Sequence, residues 1–140
     1  MPQKFYLDTS IWRDYFEDRK DNLRPLGEFA FRFLKNCGKN GCKVLYSEAV
    51  VHELKKDYSD DEIKQFFSCF ESFLEIAPIS SSQYLEAKKL AKTKIESHES
   101  DILHAIVARD NKAVLVTRDF HFEALRGIVA VNAPEGVIFG

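Results

Sequence analysis

Four acidic residues, Asp8, Glu53, Asp101 and Asp119, each stand at the edge of an apolar segment. Three of them fall where a strand passes into a loop or where a helix begins, the positions at which an open parallel sheet builds its binding crevice. Carboxylates gathered in one cleft repel one another unless a cation sits among them. Mg²⁺ and Mn²⁺ prefer carboxylate and water oxygens, and two such ions about 3.5–4 Å apart can hold the attacking and leaving oxygens of a phosphodiester displacement. The spacing therefore predicts a metal site assembled from distant parts of the chain, with phosphodiester hydrolysis as its use.

The elements that would carry these acids are strands alternating with helices. Lys4 to Leu7 reads as a first strand, Asp8-Thr9-Ser10 as a turn, and Ile11, Trp12, Tyr15 and Phe16 recur at helical spacing. Pro25 suits a first helical position; Leu26, Phe29, Ala30, Phe33 and Cys37 form one stripe that Gly38 ends, which leaves Phe31 toward solvent. Lys43 to Tyr46 is a second strand, and Ser47 caps a helix containing Val50, Val51 and Leu54. On that helix Glu48 and Glu53 are five residues apart, about 140° around the axis, so only one of them faces the site.

Ser59-Asp60-Asp61-Glu62 has capping-box form and opens a helix whose Ile63, Phe66, Phe67, Phe70, Phe73 and Leu74 share a core-facing side. Glu75 to Ile79 reads as a strand that Pro78 confines to a sheet edge. Helices follow over Gln83 to Ser97 and from Ser100-Asp101 to Asn111, the latter ending with Asn111 left-handed. Ala113 to Thr117 and Gly127 to Val131 complete the strands. This alternation predicts an α/β fold, a three-layer α/β/α sandwich over a five-stranded parallel sheet.

Composition narrows the partners. The 140 residues, 45% of them hydrophobic, make one domain able to bury a core without staples. With 20 basic and 22 acidic side chains the net charge is −2, so affinity for a polyanion must come from a local patch. Lys88, Lys89, Lys92 and Lys94 form one basic run, which on a helix is usually a solvated face; Arg13, Arg118 and Arg126 are further candidates. Cys37, Cys42 and Cys69 form neither a Cys-x-x-Cys pair nor a zinc-finger pattern, which fits a reducing cytoplasm. No signal peptide or membrane-spanning run is evident.

Alone, each acid has an ordinary structural use. Asp8 can cap a helix or brace a turn, Asp101 can sit in a first turn favoured by the helix dipole, Glu53 can be a solvated neighbour of Lys55 and Lys56, and Asp119 can form an Asx-turn. His104, on the face of Asp101, suits a structural role. The metal reading rests on joint occurrence.

Four segments occur together in order: Phe5-Tyr6-Leu7-Asp8-Thr9-Ser10, Ser47-Glu48-Ala49-Val50-Val51-His52-Glu53-Leu54, Ser100-Asp101-Ile102-Leu103-His104-Ala105 and Leu115-Val116-Thr117-Arg118-Asp119-Phe120. They resemble the successive motifs of PIN-domain ribonucleases, and nearly the whole chain is covered. The resemblance implies Mg²⁺- or Mn²⁺-dependent endoribonuclease cleavage of single-stranded or structured RNA. It also implies kinship with VapC-type toxins, which dimerise and are silenced by a cognate antitoxin. Asp8, Glu53 and Asp101 match the metal-binding acids and Asp119 a more variable fourth, while Thr9 and Thr117 match hydroxyl positions that hold a water or a carboxylate. His121-Phe122-Glu123 departs from the usual loop. The residues also allow a non-catalytic PIN-like module that binds RNA or protein, with Trp12, Phe16 and Phe31 as exposed apolar contacts. A haloacid-dehalogenase-type phosphatase wants an acid where Ser10 stands, and a receiver domain wants an acidic pair and a late lysine that are missing.

Overall fold

The computed structural model describes residues 2–93, 98–119 and 124–139. Its first strand, β1 (Lys4–Leu7), ends at Asp8, and helix α1 (Thr9–Glu17) begins at the next residue. Asp18 closes α1 in the left-handed conformation, φ 46°. Helix α2 (Leu26–Lys39) starts directly against this turn. A Cβ on Gly27 would lie 2.6 Å from the Asp18 Cα, so only glycine permits the approach. The chain continues through β2 (Lys43–Tyr46), α3 (Glu48–Leu54), α4 (Asp60–Ser68), β3 (Leu74–Ile76), α5 (Ser81–Thr93), α6 (Glu99–Asp110), β4 (Val114–Val116) and β5 (Val131–Asn132).

All strand pairings are parallel and the order is β3-β2-β1-β4-β5. From β1 the chain steps outward through β2 to β3, then returns across the sheet to β4 on the far side of β1. Because crossovers between parallel strands are right-handed, the reversal places α1 to α4 on one face and α5 with α6 on the other. This is the expected three-layer sandwich. The same reversal opens a crevice beyond the C-terminal ends of β1 and β4. Tyr6 pairs with Leu115 and Leu7 with Val116, and the Asp8 amide extends the ladder by donating to the Val116 carbonyl at 3.0 Å.

The centre of the sheet is fully buried, as a strand covered on both faces must be: Phe5, Tyr6, Leu7, Val44 and Leu115 are all inside. Trp12 is 0% exposed, with its ring centroid 4.9 Å from that of Phe67. It is therefore core, not the exposed partner contact expected, because α1 lays this face against α4. Phe16 is half-buried and stacks on Phe66 at 4.0 Å, whereas Phe31 is exposed as its place off the stripe implied.

Several boundaries differ from the sequence reading, each for a local reason. The capping box of Ser59 and Glu62 forms, but α4 ends at Ser68, so Phe70 and Phe73 pack from turns. Pro25 takes the N-cap place of α2, and the helix runs past Gly38 to Lys39. β3 is short and at the edge, its last ladder bond made by Ala77 before Pro78, which has no amide to donate. At the end of α6 it is Lys112, φ 56°, that turns left-handed, while the Asn111 side chain donates to the Val107 carbonyl at 2.8 Å. The apolar run from Gly127 is a turn in which the Ile128 and Val129 amides bond to the Leu125 carbonyl, so the strand starts only at Val131. The helix expected over Gln83 to Ser97 is α5; its extension through Lys94 to Ser97 lies outside the described residues, as do Phe120, His121, Phe122 and Glu123. Among the described residues no helix is long and apolar enough to cross a membrane. Cys37 and Cys42 are buried and Cys69 exposed, all three free.

Candidate active site

Asp8 occupies the N-cap position of α1 without capping it: its side chain accepts no bond from the helix amides. The carboxylate instead accepts the Ser10 hydroxyl at 2.6 Å and the Thr117 hydroxyl at 3.1 Å, both on Oδ2. Only 7% of Asp8 is exposed. Thr117 stands one residue beyond β4, and its Oγ1 also accepts the Asp119 amide at 3.1 Å. One threonine hydroxyl therefore ties the first and fourth acids of the sequence to the same strand end. The start of this turn is built on the Thr117 side chain; the residues that an Asx-turn at Asp119 would use lie outside those described.

Asp101 sits in the first turn of α6. Its pKa is pushed up to about 6 by burial first, then by the negative charges of Asp8 and Asp119, against a smaller opposing pull from His104 and His98. A carboxylate at the start of a helix is normally held ionised. The upward shift therefore reflects burial first, with the charges of Asp8 at the end of β1 and Asp119 beyond β4 adding to it.

Glu53 approaches from α3 and is held by a buried chain of hydrogen bonds. His104 Nε2 lies 2.8 Å from Glu53 Oε1, His104 Nδ1 lies 2.7 Å from the Tyr6 hydroxyl, and that hydroxyl lies 2.6 Å from Ser47 Oγ. Ser47 and His104 are 0% and 1% exposed. Burial works against charge on Glu53, but the hydrogen bond and charge of His104 outweigh it and hold its carboxyl below the usual range. Burial likewise opposes charge on His104, yet the bond to Glu53 and the nearby carboxylates raise its pKa. Ser47 is thus spent on Tyr6 and makes no cap for α3, contrary to expectation. Glu48 accepts the Tyr84 hydroxyl at 3.1 Å, so of the two α3 acids it is Glu53 that joins the cluster through His104.

Tyr6 is the link that can be tested without touching an acid. In Tyr6→Phe, Ser47 and His104 Nδ1 lose a shared partner in a dry interior, and the variant should unfold about 1–3 kcal/mol more easily in urea. An unchanged midpoint would mean that the chain of bonds carries no net stability.

Arg118, between Thr117 and Asp119, faces away from solvent. Its guanidinium pairs with Asp14 of α1 at 3.6 Å and with Glu135 at 2.6 Å, and stands 5.5 Å over the ring of Phe29. Asp14 is itself 5% exposed; burial raises its pKa, with Arg118 and Arg19 pulling the other way. Arg118 thus pins the loop after β4 to α1 and α2. Arg13 donates to Asp57 and, at 2.9 Å, to the Glu53 carbonyl. Arg126 is exposed, and Lys88, Lys89 and Lys92 lie on the solvent side of α5.

Among the described residues no three of His, Cys, Asp and Glu stand close enough to form a ready metal cluster. The donor chemistry nevertheless fits a hard divalent cation: all four acids offer oxygen, and the charges of Asp8 and Asp119 add to burial in raising the pKa of Asp101. Thr9 Oγ1 is buried without a hydrogen-bond partner, although it lies near enough to Glu53 to help keep that carboxylate ionised. An orphaned hydroxyl beside the acids suits a water or a cation's hydration shell.

Sequence reasoning named the acids and both threonines but missed the roles of Tyr6 and Ser47 and gave His104 none beyond structure. A tyrosine inside a strand buried on both faces needs a partner for its hydroxyl, and that was the available signal.

No family's sequence profile matches the chain, and no curated protein matches it. Solved structures do. A chain of the VapBC2 complex from Rickettsia felis, crystallised with a DNA fragment from its promoter, is 21% identical, with TM-score 0.70 over 94% of this chain and 98% of that one. A chain of FitAcB from Neisseria gonorrhoeae is 18% identical, with TM-score 0.61 over 93% and 97%. A chain of VapBC-5 from Mycobacterium tuberculosis, of the VapBC family of toxin-antitoxin systems, is 20% identical, with TM-score 0.51 over 94% and 98%. Over nearly its whole length, then, this chain has the α/β/α fold of PIN domains that these toxin-antitoxin structures share.

Proposed function

We propose that the chain is a metal-dependent endoribonuclease and the toxin of a toxin-antitoxin pair. The observation that supports this reading is the position of Asp8, Asp101 and Asp119 at a strand end, a helix start and the loop after β4, with Asp8 and the Asp119 amide tied to one hydroxyl, that of Thr117. These three, with Glu53, would hold Mg²⁺ or Mn²⁺. When bound, such an ion lowers the pKa of a water and neutralises charge growing on the phosphate. The protein's part is orientation. Ser10 and Thr117 fix Asp8 through Oδ2, Thr117 fixes the Asp119 backbone, and His104 fixes Glu53. No serine or cysteine nucleophile is needed. The likeness to chains from toxin-antitoxin complexes supports a cognate antitoxin as partner. A homodimer and a reducing cytoplasmic setting, where three free cysteines stay reduced, belong to the same reading.

The test is cleavage of RNA by EDTA-stripped protein with Mn²⁺ or Mg²⁺ restored, beside Asp8→Asn purified identically. Metal-dependent cutting that leaves a 5′-phosphate and a 3′-hydroxyl and vanishes in the variant is expected. A 2′,3′-cyclic phosphate would overturn the hydrolytic mechanism. The second reading, a non-catalytic RNA- or protein-binding module, draws on the absence of a ready three-ligand cluster among the described residues. RNA binding without cleavage across diverse substrates would favour it.

A further inference from the structure

A cavity of about 660 Å³ opens beside the acids. Glu53 and Ser100, the residue before Asp101, are among its lining residues, so it adjoins the candidate acids. Ala49 and Leu103 give it apolar surface, Arg13 and Lys56 bring positive charge, and Tyr84 of α5 adds an aromatic ring. Tyr84 is 43% exposed, yet its hydroxyl is tethered to Glu48 across the opening. A ring half open to water and fixed at its far end is a stacking platform with little orientational freedom left to lose. Arg13 is equally fixed, by Asp57 and the Glu53 carbonyl.

The charges of this lining balance, two carboxylates from Glu48 and Glu53 against Arg13 and Lys56. A dedicated phosphate pocket would carry an excess of cations. A nucleobase asks instead for a π-face and a few polar groups in a cavity of this size. We propose that this cavity is a subsite for one unpaired base flanking the cleaved bond, stacked on Tyr84, with Arg13 and Lys56 meeting the adjoining phosphates. This rests on the ribonuclease reading above. The substrate is then single-stranded at the cut, because a paired base is stacked inside its helix and cannot enter.

The test is fluorescence anisotropy with a labelled unstructured RNA oligonucleotide and the full chain in EDTA, so that cleavage plays no part. Tyr84→Ala should bind on the order of tenfold more weakly than wild type, and Tyr84→Phe, which keeps the ring but loses the bond to Glu48, should fall between the two. The same RNA annealed to its complement should bind wild type more weakly than the single strand does. Thermal melts matching wild type would show that the variants fold, as expected for an exposed residue. Equal binding by Tyr84→Ala, equal binding of the duplex, or no saturable binding by wild type overturns the subsite. Tyr84-dependent binding without metal-dependent cleavage would leave the subsite standing and remove the ribonuclease reading. Cleavage that depends on Asp8 but is indifferent to Tyr84→Ala would do the reverse.

Discussion

Asp101→Asn should melt higher than the wild type when both are metal-free at pH 7, and should cleave RNA at least about a hundredfold more slowly with metal restored. The pKa of Asp101 in the folded chain is about 6, above the usual carboxylate value. Folding therefore buries an ionised carboxylate, and sets it near Asp8 and Asp119, whenever the pH exceeds both values. The cost is absent below the unfolded pKa near 4, grows as pH rises to about 6, and is complete above it. Undamped, a shift of about two units is worth about 3 kcal/mol; solvent reaching this half-buried group reduces that to about 1–2 kcal/mol, or roughly 3–8 °C. The wild type's deficit should shrink as pH falls from 7 to 5, a change the neutral asparagine lacks. Saturating Mn²⁺ should reverse the order at pH 7, since only the intact site gains by mass action. Melting curves at both pH values, with EDTA and with Mn²⁺, check all of this. An Asp101→Asn protein that melts lower in EDTA would show that the ionised carboxylate costs nothing in this setting, and one that gains as much from Mn²⁺ as wild type would show that Asp101 holds no cation.

Trp12→Ala should cost about 3–5 kcal/mol of stability, measured by urea denaturation, the largest loss expected from any single truncation here. The indole is fully buried and bridges α1 to α4, meeting Phe16, Phe67 and Phe70 at ring separations of 6.0, 4.9 and 6.1 Å. Phe16 lies on α1 itself, Phe67 on α4 and Phe70 in the turn that follows α4, and these cannot close over the gap without unpacking from one another. Trp12→Phe should cost much less, below about 1.5 kcal/mol. The Trp12 Nε1 is buried with no hydrogen-bond partner, so phenylalanine removes a desolvated donor while keeping most of the contact. Equal losses in the two variants would show that the N–H is satisfied and the ring contacts are minor.

The fold was largely legible because a parallel sheet writes itself as apolar runs separated by helical stripes. Lys4 to Leu7 and Lys43 to Tyr46 form strands with the boundaries read, and Ser59 with Glu62 marks the start of α4. Gly127 to Val131 misled because turn and strand both tolerate a short apolar run, and only the bonds to the Leu125 carbonyl decide between them. Trp12 misled differently: periodicity assigns a residue to a face but does not say what covers that face. Three of the candidate acids were legible as strand-end and helix-start residues. The support of the fourth was not, because Glu53 depends on His104, 51 residues away, and His104 on Tyr6, 98 residues away. Pairings of that kind leave no mark in local spacing.

The bond from Thr117 to Asp8 joins residues 109 apart in the chain, and the Asp8 amide needs the Val116 carbonyl to finish its ladder. A ribosome-bound chain that has not yet released β4 carries Asp8 at the rim of an incomplete sheet, with neither its threonine nor Asp119. For an enzyme that would cut RNA, this order of synthesis would be protective: long-range strand pairing is slow in such topologies, and it is the step that brings Asp8 to Thr117.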